Sequence, residues 1–370
     1  MNKNILKKLR FKWFLASRTL GYTEDYLQRV YQIYLNHHKI IHYRDGFPVY
    51  SLSTPAIFTK PAANMLARSI YSGIQNRQFP NLMSFAVNDS CNANCSHCSF
   101  FDRVEDKKRT VLTLDQCRQA IKAGQDLGVS VINFVGGEPL LRLDFLEVIR
   151  SVNKDLSTSV VFTNGSRLAE MAAALKKAGL DSVYVSIDGS SAEIHDRKRG
   201  KKGIFDLALS GIKAAQKAGL TVGTSACITK EDFISGEAVK LIEFGKKMGI
   251  HEVLFFDAKP VGRCAHHQNP SDSRAWVDDL IVLSEKYNQD ESYPGVLIYA
   301  YATSYKSTGC SGGVSYFYIS PYGDVSPCDF NSLYFGNVLE TPLYLIWDKM
   351  TKTEIFRQAS WDGCKMKHGS

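Results

Sequence analysis

Three cysteines stand close together in Cys91-Asn-Ala-Asn-Cys95-Ser-His-Cys98, a C-x3-C-x2-C spacing. The Asp, Asn and Ser around them read as a loop rather than a core, which leaves the thiols available as metal ligands. Three thiolates on one short loop can hold three irons of a cubane [4Fe–4S] cluster and leave the fourth iron without a protein ligand. Zinc is the alternative, but structural zinc takes four closed ligands, commonly in C-x2-C pairs. His97 is a nearby fourth donor, and its place beside Cys98 strains a tetrahedral arrangement. Nine cysteines in 370 residues are too few for a disulfide scaffold and suit a compartment that keeps thiols reduced.

Such a loop needs elements to position it. A strand over 82–88 leads into it. Thr113-Leu-Asp-Gln116 is a capping box that opens a helix running to about Gly128. Val129–Val135 is apolar and β-branched and predicts a strand, followed by a helix over 143–152. The alternation continues with strand 158–163, helix 167–178, strand 182–188, helix 204–218, strand 221–228, helix 236–248 and strand 251–257. Helices stop at Ala178-Gly179-Leu180, Ala218-Gly219-Leu220 and Met248-Gly249-Ile250, where glycine supplies the left-handed cap. Six βα units with short loops predict a parallel sheet with helices outside it. Six strands are too few for a closed eight-stranded barrel, so the expected class is α/β, an open or partial (β/α)6 barrel. After 260 the rhythm changes to helix 273–288, strand 296–301, a hairpin turning at Pro321-Tyr322-Gly323 and a helix over 343–358. The expected domains are a basic helical extension over 1–80, the barrel over 81–262 and a small α+β unit over 263–370.

With its cysteine loop directly after the first strand, the chain resembles the radical S-adenosylmethionine (radical SAM) superfamily over about residues 82–260. The resemblance rests also on Gly136-Gly137-Glu138-Pro139, which matches the family's GGE-type motif at a strand's C-terminal end, where parallel barrels bind ligands. It implies that Gly136, Gly137 and Glu138 seat the methionine amino group of S-adenosylmethionine (SAM). Softer matches are Thr163-Asn164-Gly165 and Ser186-Ile187-Asp188-Gly189 at later strand ends. His195-Asp196-Arg197-Lys198-Arg199-Gly200 is similar to the HD-x-x-RG stretch of the branch with extra clusters. By that analogy Asn164 joins the cofactor site, Ser186 and Asp188 lie near the ribose, and Arg199 near the cofactor carboxylate. Read from the residues alone, these are strand-end turns and a solvated basic loop. His97 departs from the pattern, since the residue before the third cysteine is commonly aromatic there, although imidazole can still stack on adenine. The implied cofactors are a catalytic [4Fe–4S] cluster and SAM. The implied chemistry is one-electron cleavage of SAM to a 5′-deoxyadenosyl radical that takes hydrogen from a substrate. A flavodoxin- or ferredoxin-type electron donor is the implied partner.

Cys310, Cys328 and Cys364, with Gly323 in a C-x12-G-x4-C spacing, resemble the opening of the SPASM or shorter Twitch domains, which carry auxiliary [4Fe–4S] clusters. The resemblance implies one second cluster, with two thiolates from a hairpin and the third from beyond a later helix. Lys367 stands where a further cysteine would follow Cys364, so two extra clusters are not expected; His368 is a weak candidate fourth ligand. Structural cysteines and zinc are the alternatives. Cys117 and Cys227 read as core. Cys264, just past the sixth strand, reads as a loop thiol or a hydrogen-atom donor at the active-site end.

The net charge of +8 is uneven: residues 1–60 hold ten Lys/Arg against three acids. Ile5, Leu6, Leu9, Trp13 and Leu20 lie roughly on one helical face beside Lys3, Lys7, Lys8 and Lys12. That pattern fits an anionic membrane surface, or a helix packed on the barrel with its charges in water. No RNA-reading motif accompanies it, and nucleic acid is not expected as a partner. No apolar run reaches the ~18–20 residues that span a bilayer, and no secretory signal is read. The expected location is cytoplasmic, or peripheral at the inner membrane surface. The functional expectation is a radical SAM enzyme acting on a lipid-derived, peptide or sugar substrate. The alternatives are an iron–sulfur electron-transfer or redox-sensing protein without SAM cleavage, and a zinc-stabilised binding protein.

Overall fold

The computed structural model describes residue 13 and residues 39–75, 77–100, 108–259, 261–264, 275–302 and 309–357. The amphipathic face expected near the start (Trp13 apart), and Cys364 with His368, lie outside the described residues. A hairpin, β1 (His42–Arg44) and β2 (Phe47–Val49), is followed by turns and the helix Lys60–Gln75. The described part of the first eighty residues is therefore helical only in its second half.

Seven parallel strands follow, hydrogen-bonded in chain order: β3 (Leu82–Asn88), β4 (Val131–Gly136), β5 (Thr158–Thr163), β6 (Ser182–Ser186), β7 (Thr221–Ile228), β8 (Glu252–Asp257) and β9 (Gly295–Ile298). On the other side of β3 lies β10 (Tyr316–Ile319), also parallel to it, and then β11 (Asp324–Ser326) and β12 (Gly336–Asn337) in antiparallel order. The sheet is open, with β12 and β9 at its two edges. This is the expected partial barrel, with two differences in detail. The strand expected over 296–301 joins the barrel beside β8, and the hairpin turning at Gly323 extends the same sheet beyond β3. The ladder thus runs across the boundary expected at 262. Periodicity marks a strand but does not name its neighbour. Residues 192–199, expected as a solvated loop, form a helix capped by the Ser191 hydroxyl, which accepts from Ile194 N, and ended by Gly200 in the left-handed region.

Alternation along the strands makes two faces. Ile132, Phe134, Val161, Val183, Val185, Val253 and Phe255 point outward and join Ile121, Leu175, Ile212 and Leu241 of the helices in one core. Val131, Val160, Tyr184 and Leu254 point inward and close around Leu52 from the segment after β2. Burying each such large side chain contributes roughly 1.5–3 kcal/mol. The N-terminal segment therefore plugs one end of the barrel interior, below the cavity at the strands' other end.

Glu252 anchors the plug. Its Oε2 accepts from Leu52 N at 2.8 Å, from Ser51 Oγ at 3.2 Å and from the Tyr184 hydroxyl. Basic residues of this region are also engaged within the fold. Arg44 donates to Ser182 Oγ at 2.5 Å and Thr221 Oγ1 at 3.0 Å, Lys39 to the carbonyls of Tyr287 and Asp290, and Lys60 pairs with Asp155. Among the described residues no helix is long and apolar enough to cross a membrane.

Burial lifts the Glu252 pKa to about 7 against the hydrogen bonds that oppose the shift. The group's contribution to stability is then fully present below its ordinary value of 4.5 and lost as the pH rises through about 7. Glu252→Gln is expected to flatten that part of the curve of Tm against pH and to leave Tm at alkaline pH no lower than wild type. Thermal unfolding across the pH range checks this. A variant curve that keeps the wild-type slope would refute it.

Candidate active site and cysteine centres

A cavity of about 1080 Å³ opens at the C-terminal ends of the strands. Cys91, Cys95 and Cys98 line it, and so do Gly136, Gly137, Glu138, Asn164, Ser186, Asp188, Arg199 and Cys264. Every residue expected at the cofactor site thus reaches one space, although the residues come from the ends of four strands and from two later segments.

The cysteine loop has no regular structure of its own and is held by its neighbours' backbones. Gly137 N donates to Asn88 O and Glu138 N to Ser90 O, both at 2.8 Å. Asn94 N donates to Arg199 O at 2.9 Å and Ser96 N to Lys198 O at 3.0 Å, so the helix 192–199 delivers its last carbonyls to the loop. Arg263 closes the far side, its N–H on Cys98 O at 3.1 Å and its Nη1 on Cys95 O at 2.8 Å. These approaches need glycine. A side chain at Gly137 would meet Ser90 O at 2.3 Å, one at Gly200 would meet Asn94 O at 2.4 Å, and one at Gly262 would meet Cys98 O at 2.2 Å.

Glu138 and Asn164 act sideways. Glu138 is 1% exposed. Its Oε1 accepts from Leu140 N at 3.0 Å and Thr163 Oγ1 at 2.6 Å, and its Oε2 from Asn164 N at 2.7 Å. Burial raises its pKa, and those donors work against the rise. The carboxylate clamps the end of β4 to the end of β5 and keeps room for one further donor on Oε2. Asn164 Nδ2 donates to Asn92 Oδ1 at 2.8 Å, inside the cysteine loop.

Asp188 lies against the cavity with its side chain wholly buried. Its Oδ1 accepts from Cys227 N at 2.9 Å, and its Oδ2 faces His97 Nε2 at 3.1 Å and Arg199 Nε at 2.5 Å. Burial would raise its pKa, but the charges of Arg199 and His97 overcome that and hold it well below the carboxylate range. His97 joins this group through its Nε2. His195 is neutral, since burial pulls its pKa down to about 4, and its Nδ1 accepts from Asp188 N at 3.0 Å.

Cys117 is core, as expected. Cys227 is not. It is partly exposed and lines the cavity, because β7 turns that face inward near its C-terminal end. The spacing of Cys227 carried no sign of this, whereas Cys264 sits in the Gly262–Cys264 turn that also closes the loop. Sequence reasoning missed Arg263 and the contribution of the C-terminal region to the cavity, namely Ser311, Tyr316, Asp329 and Phe330. These arrive by tertiary pairing and have no local signal.

The second cysteine set is partly on view. Cys310 and Cys328 are both buried, and a side chain placed on Gly312 would lie 3.8 Å from Cys310 Sγ and 3.6 Å from Cys328 Cβ. Gly312 thus leaves open a space between the two. Tyr316, one wall residue of the main cavity, bonds Ser84 Oγ at 2.8 Å and Asp329 Oδ1 at 2.7 Å. Burial raises the Tyr299 and Tyr316 phenols well above their ordinary value, and the neighbouring charges of Cys328 and Asp329 add to this.

The first three thiols suit a cluster. Burial raises the Cys98 thiol, and the neighbouring charges of Arg263 and Arg199 work against the rise. Among the described residues no three His, Cys, Asp or Glu side chains gather as a single-ion site. A cubane places its thiolates on separate irons and needs no such point of convergence.

Residues 86–244 match the model of the radical SAM superfamily, and residues 310–366 match that of an iron–sulfur cluster-binding domain. The chain carries a radical SAM domain and, behind it, a second domain of the SPASM kind. It is a radical SAM enzyme, whose cofactors are SAM and a [4Fe–4S] cluster, with further iron–sulfur in the SPASM domain. An AdoMet-dependent heme synthase of Methanosarcina barkeri is 28% identical over 300 residues, covering 75% of this chain and 84% of that protein. A GTP 3′,8-cyclase of Xanthomonas axonopodis pv. citri is 29% identical over 213 residues, 56% of this chain and 61% of that protein. The solved structure of Streptococcus suis SuiB bound to S-adenosylmethionine shares the fold with a TM-score of 0.60 at 17% identity, covering 76% of this chain and 69% of that one.

Gly137→Ala and Gly200→Ala both press a side chain against backbone that no rotamer change can clear. Each is expected to destabilise by roughly 1–3 kcal/mol and to lower iron bound after anaerobic reconstitution. Gly203→Ala, at a glycine with nothing within 4 Å, is the control for backbone strain alone and is expected to keep its iron. Equal iron loading in all three would contradict the close-packing account.

Proposed function

We propose that this chain cleaves SAM reductively at a [4Fe–4S] cluster held by Cys91, Cys95 and Cys98 and takes a hydrogen atom from a substrate bound in the same cavity. When bound, the cluster and SAM supply the one-electron scission of a carbon–sulfur bond and the 5′-deoxyadenosyl radical that follows. The observation that carries the reading is the meeting of the three thiols, the Gly137–Glu138 turn and the Asn164 strand end at one cavity. The remaining acceptor site on Glu138 Oε2, at the cavity wall, suits an ammonium group.

The protein's own work is positioning and exclusion of water. Leu52 and its ring of inward side chains seal the barrel below the cavity. Phe162, Phe256, Tyr299 and Phe330 wall it with aromatic faces, Phe256 lying 5.2 Å from Tyr299 and Tyr299 5.6 Å from Phe330 between ring centres. No acid–base pair is required for hydrogen-atom transfer. Cys310, Cys328 and Cys364 hold one auxiliary cluster. Cys264 remains a secondary candidate for returning a hydrogen atom. A flavodoxin- or ferredoxin-type protein donates the electron, and any contact with a membrane surface falls to basic residues of the first sixty other than Lys39, Arg44 and Lys60. Relatives named as heme synthases and GTP cyclases differ in what they act on, so the substrate, whether lipid-derived, peptide or sugar, is not carried over from them.

Anaerobic reconstitution followed by reduction with dithionite tests this. Wild-type protein is expected to release 5′-deoxyadenosine and methionine from SAM, and Cys95→Ala to fall to background. Cys310→Ala with Cys328→Ala is expected to lose about half the iron, as removal of one of two cubanes requires, and to keep releasing 5′-deoxyadenosine. A fully iron-loaded wild type that releases none speaks for an electron carrier. Zinc without iron speaks for a scaffold.

A further inference from the structure

We propose that Arg199 is a positioning residue for the cluster itself: fixed by Asp188, its guanidinium lies against the Cys95 thiol and raises the potential at which the cluster accepts its electron. The proposal rests on the reading of Cys95 as a cluster ligand. It assigns Arg199 a partner other than the cofactor carboxylate expected from the resemblance.

The geometry is specific. Arg199 ends the helix 192–199 on the turn that also gives its backbone carbonyl to Asn94 of the cysteine loop. Its Nε sits 2.5 Å from Asp188 Oδ2, and its Nη1 reaches Cys95 Sγ at 3.6 Å. Asp188 is wholly buried, with Cys227 N donating to one oxygen and His97 Nε2 at 3.1 Å from the other. The planar guanidinium fork thus has the carboxylate beside one edge and presents the other to sulfur. A guanidinium kept only for a cofactor carboxylate would not need a wholly buried carboxylate of its own protein along its Nε edge.

The electrostatics agree with the geometry. A guanidinium keeps its proton throughout the range in which proteins are folded, so the side chain beside Cys95 and Asp188 is a cation. Asp188 offsets much of that charge at a distance, while the N–H on Cys95 acts at contact. Reduction adds negative charge to a cluster and spreads part of it onto the sulfurs. A charged donor at a ligand sulfur therefore stabilises the reduced state more than the oxidised one, and hydrogen bonds to sulfur are among the determinants of cluster potential. A hydrogen bond to a charged group contributes about 1.5–3 kcal/mol. If roughly half of that is differential between the two oxidation states, the reduction constant changes about tenfold, or 59 mV for a one-electron couple.

The test is an EPR-monitored redox titration of reconstituted full-length protein without SAM. It follows the cluster signal that later addition of SAM perturbs, with iron and sulfide measured on every sample. Arg199→Met is expected to titrate at a lower potential, by about the tenfold equivalent of a one-electron couple. Arg199→Lys keeps the charge without the fork and is expected to lie between Met and wild type. If Arg199→Met assembles no cluster, Arg199→Lys decides alone. Fully loaded variants that titrate with the wild type and show only weakened SAM binding overturn the proposal and return Arg199 to the cofactor carboxylate. Wild-type protein that takes up no cluster at Cys91, Cys95 and Cys98 overturns the underlying reading, and the inference with it.

Discussion

The constraint on which the rest depends is the grip of neighbouring backbone on residues 88–98. A loop without secondary structure of its own cannot hold three sulfurs at fixed separations. Here the end of β4, the end of the helix 192–199 and the turn at 262–263 each bond to it directly. The positions of the thiols are therefore set by the spacing of barrel elements. Buried polar groups serve the same end. Placing the Glu138 carboxylate in a dry interior costs stability, and three donors from β5 and the turn after β4 offset that cost while fixing two strand ends in register.

Much of this was legible in the residues. The C-x3-C-x2-C spacing, the Gly-Gly-Glu-Pro turn and the glycine helix stops are local signals, and they marked the barrel and its ligand-bearing end. The Thr113 capping box appears as read, and the helix it opens stops at Gly128. What stayed hidden was whatever depends on pairing at long range. Nothing in Val296–Ile298 says that it lies beside β8, and nothing in Tyr316–Ile319 says that it lies beside β3. The helix 192–199 was hidden for another reason. It is so rich in charge that no apolar stripe shows, and its identity comes from the Ser191 and Gly200 caps and from the chain it supports.

The cavity separates two kinds of electrostatic environment. Around the first cysteine set, Arg199 and Arg263 bring positive charge within reach of thiols and their carbonyls. Around the second, Tyr299 and Tyr316 stay neutral beside Cys328 and Asp329. Phe256, Tyr299 and Phe330 stand in mutual contact and make one partition of that cavity. The same partition is built partly from residues of the SPASM region, so the pocket is complete only when both family domains are in place.

The alignment of Leu82 with Tyr316 across β3 and β10 bears on how this protein comes into being. The first strand of the barrel waits for a partner more than two hundred residues further along the chain, and until then one of its edges stays unpaired. Early strands can associate with their successors as they emerge, yet the nascent sheet exposes a ready template for misassociation during translation. Acquisition of the native state is accordingly a late event, governed by closure of a very long chain segment, and a ribosome-bound chaperone would find its natural client surface along that flank.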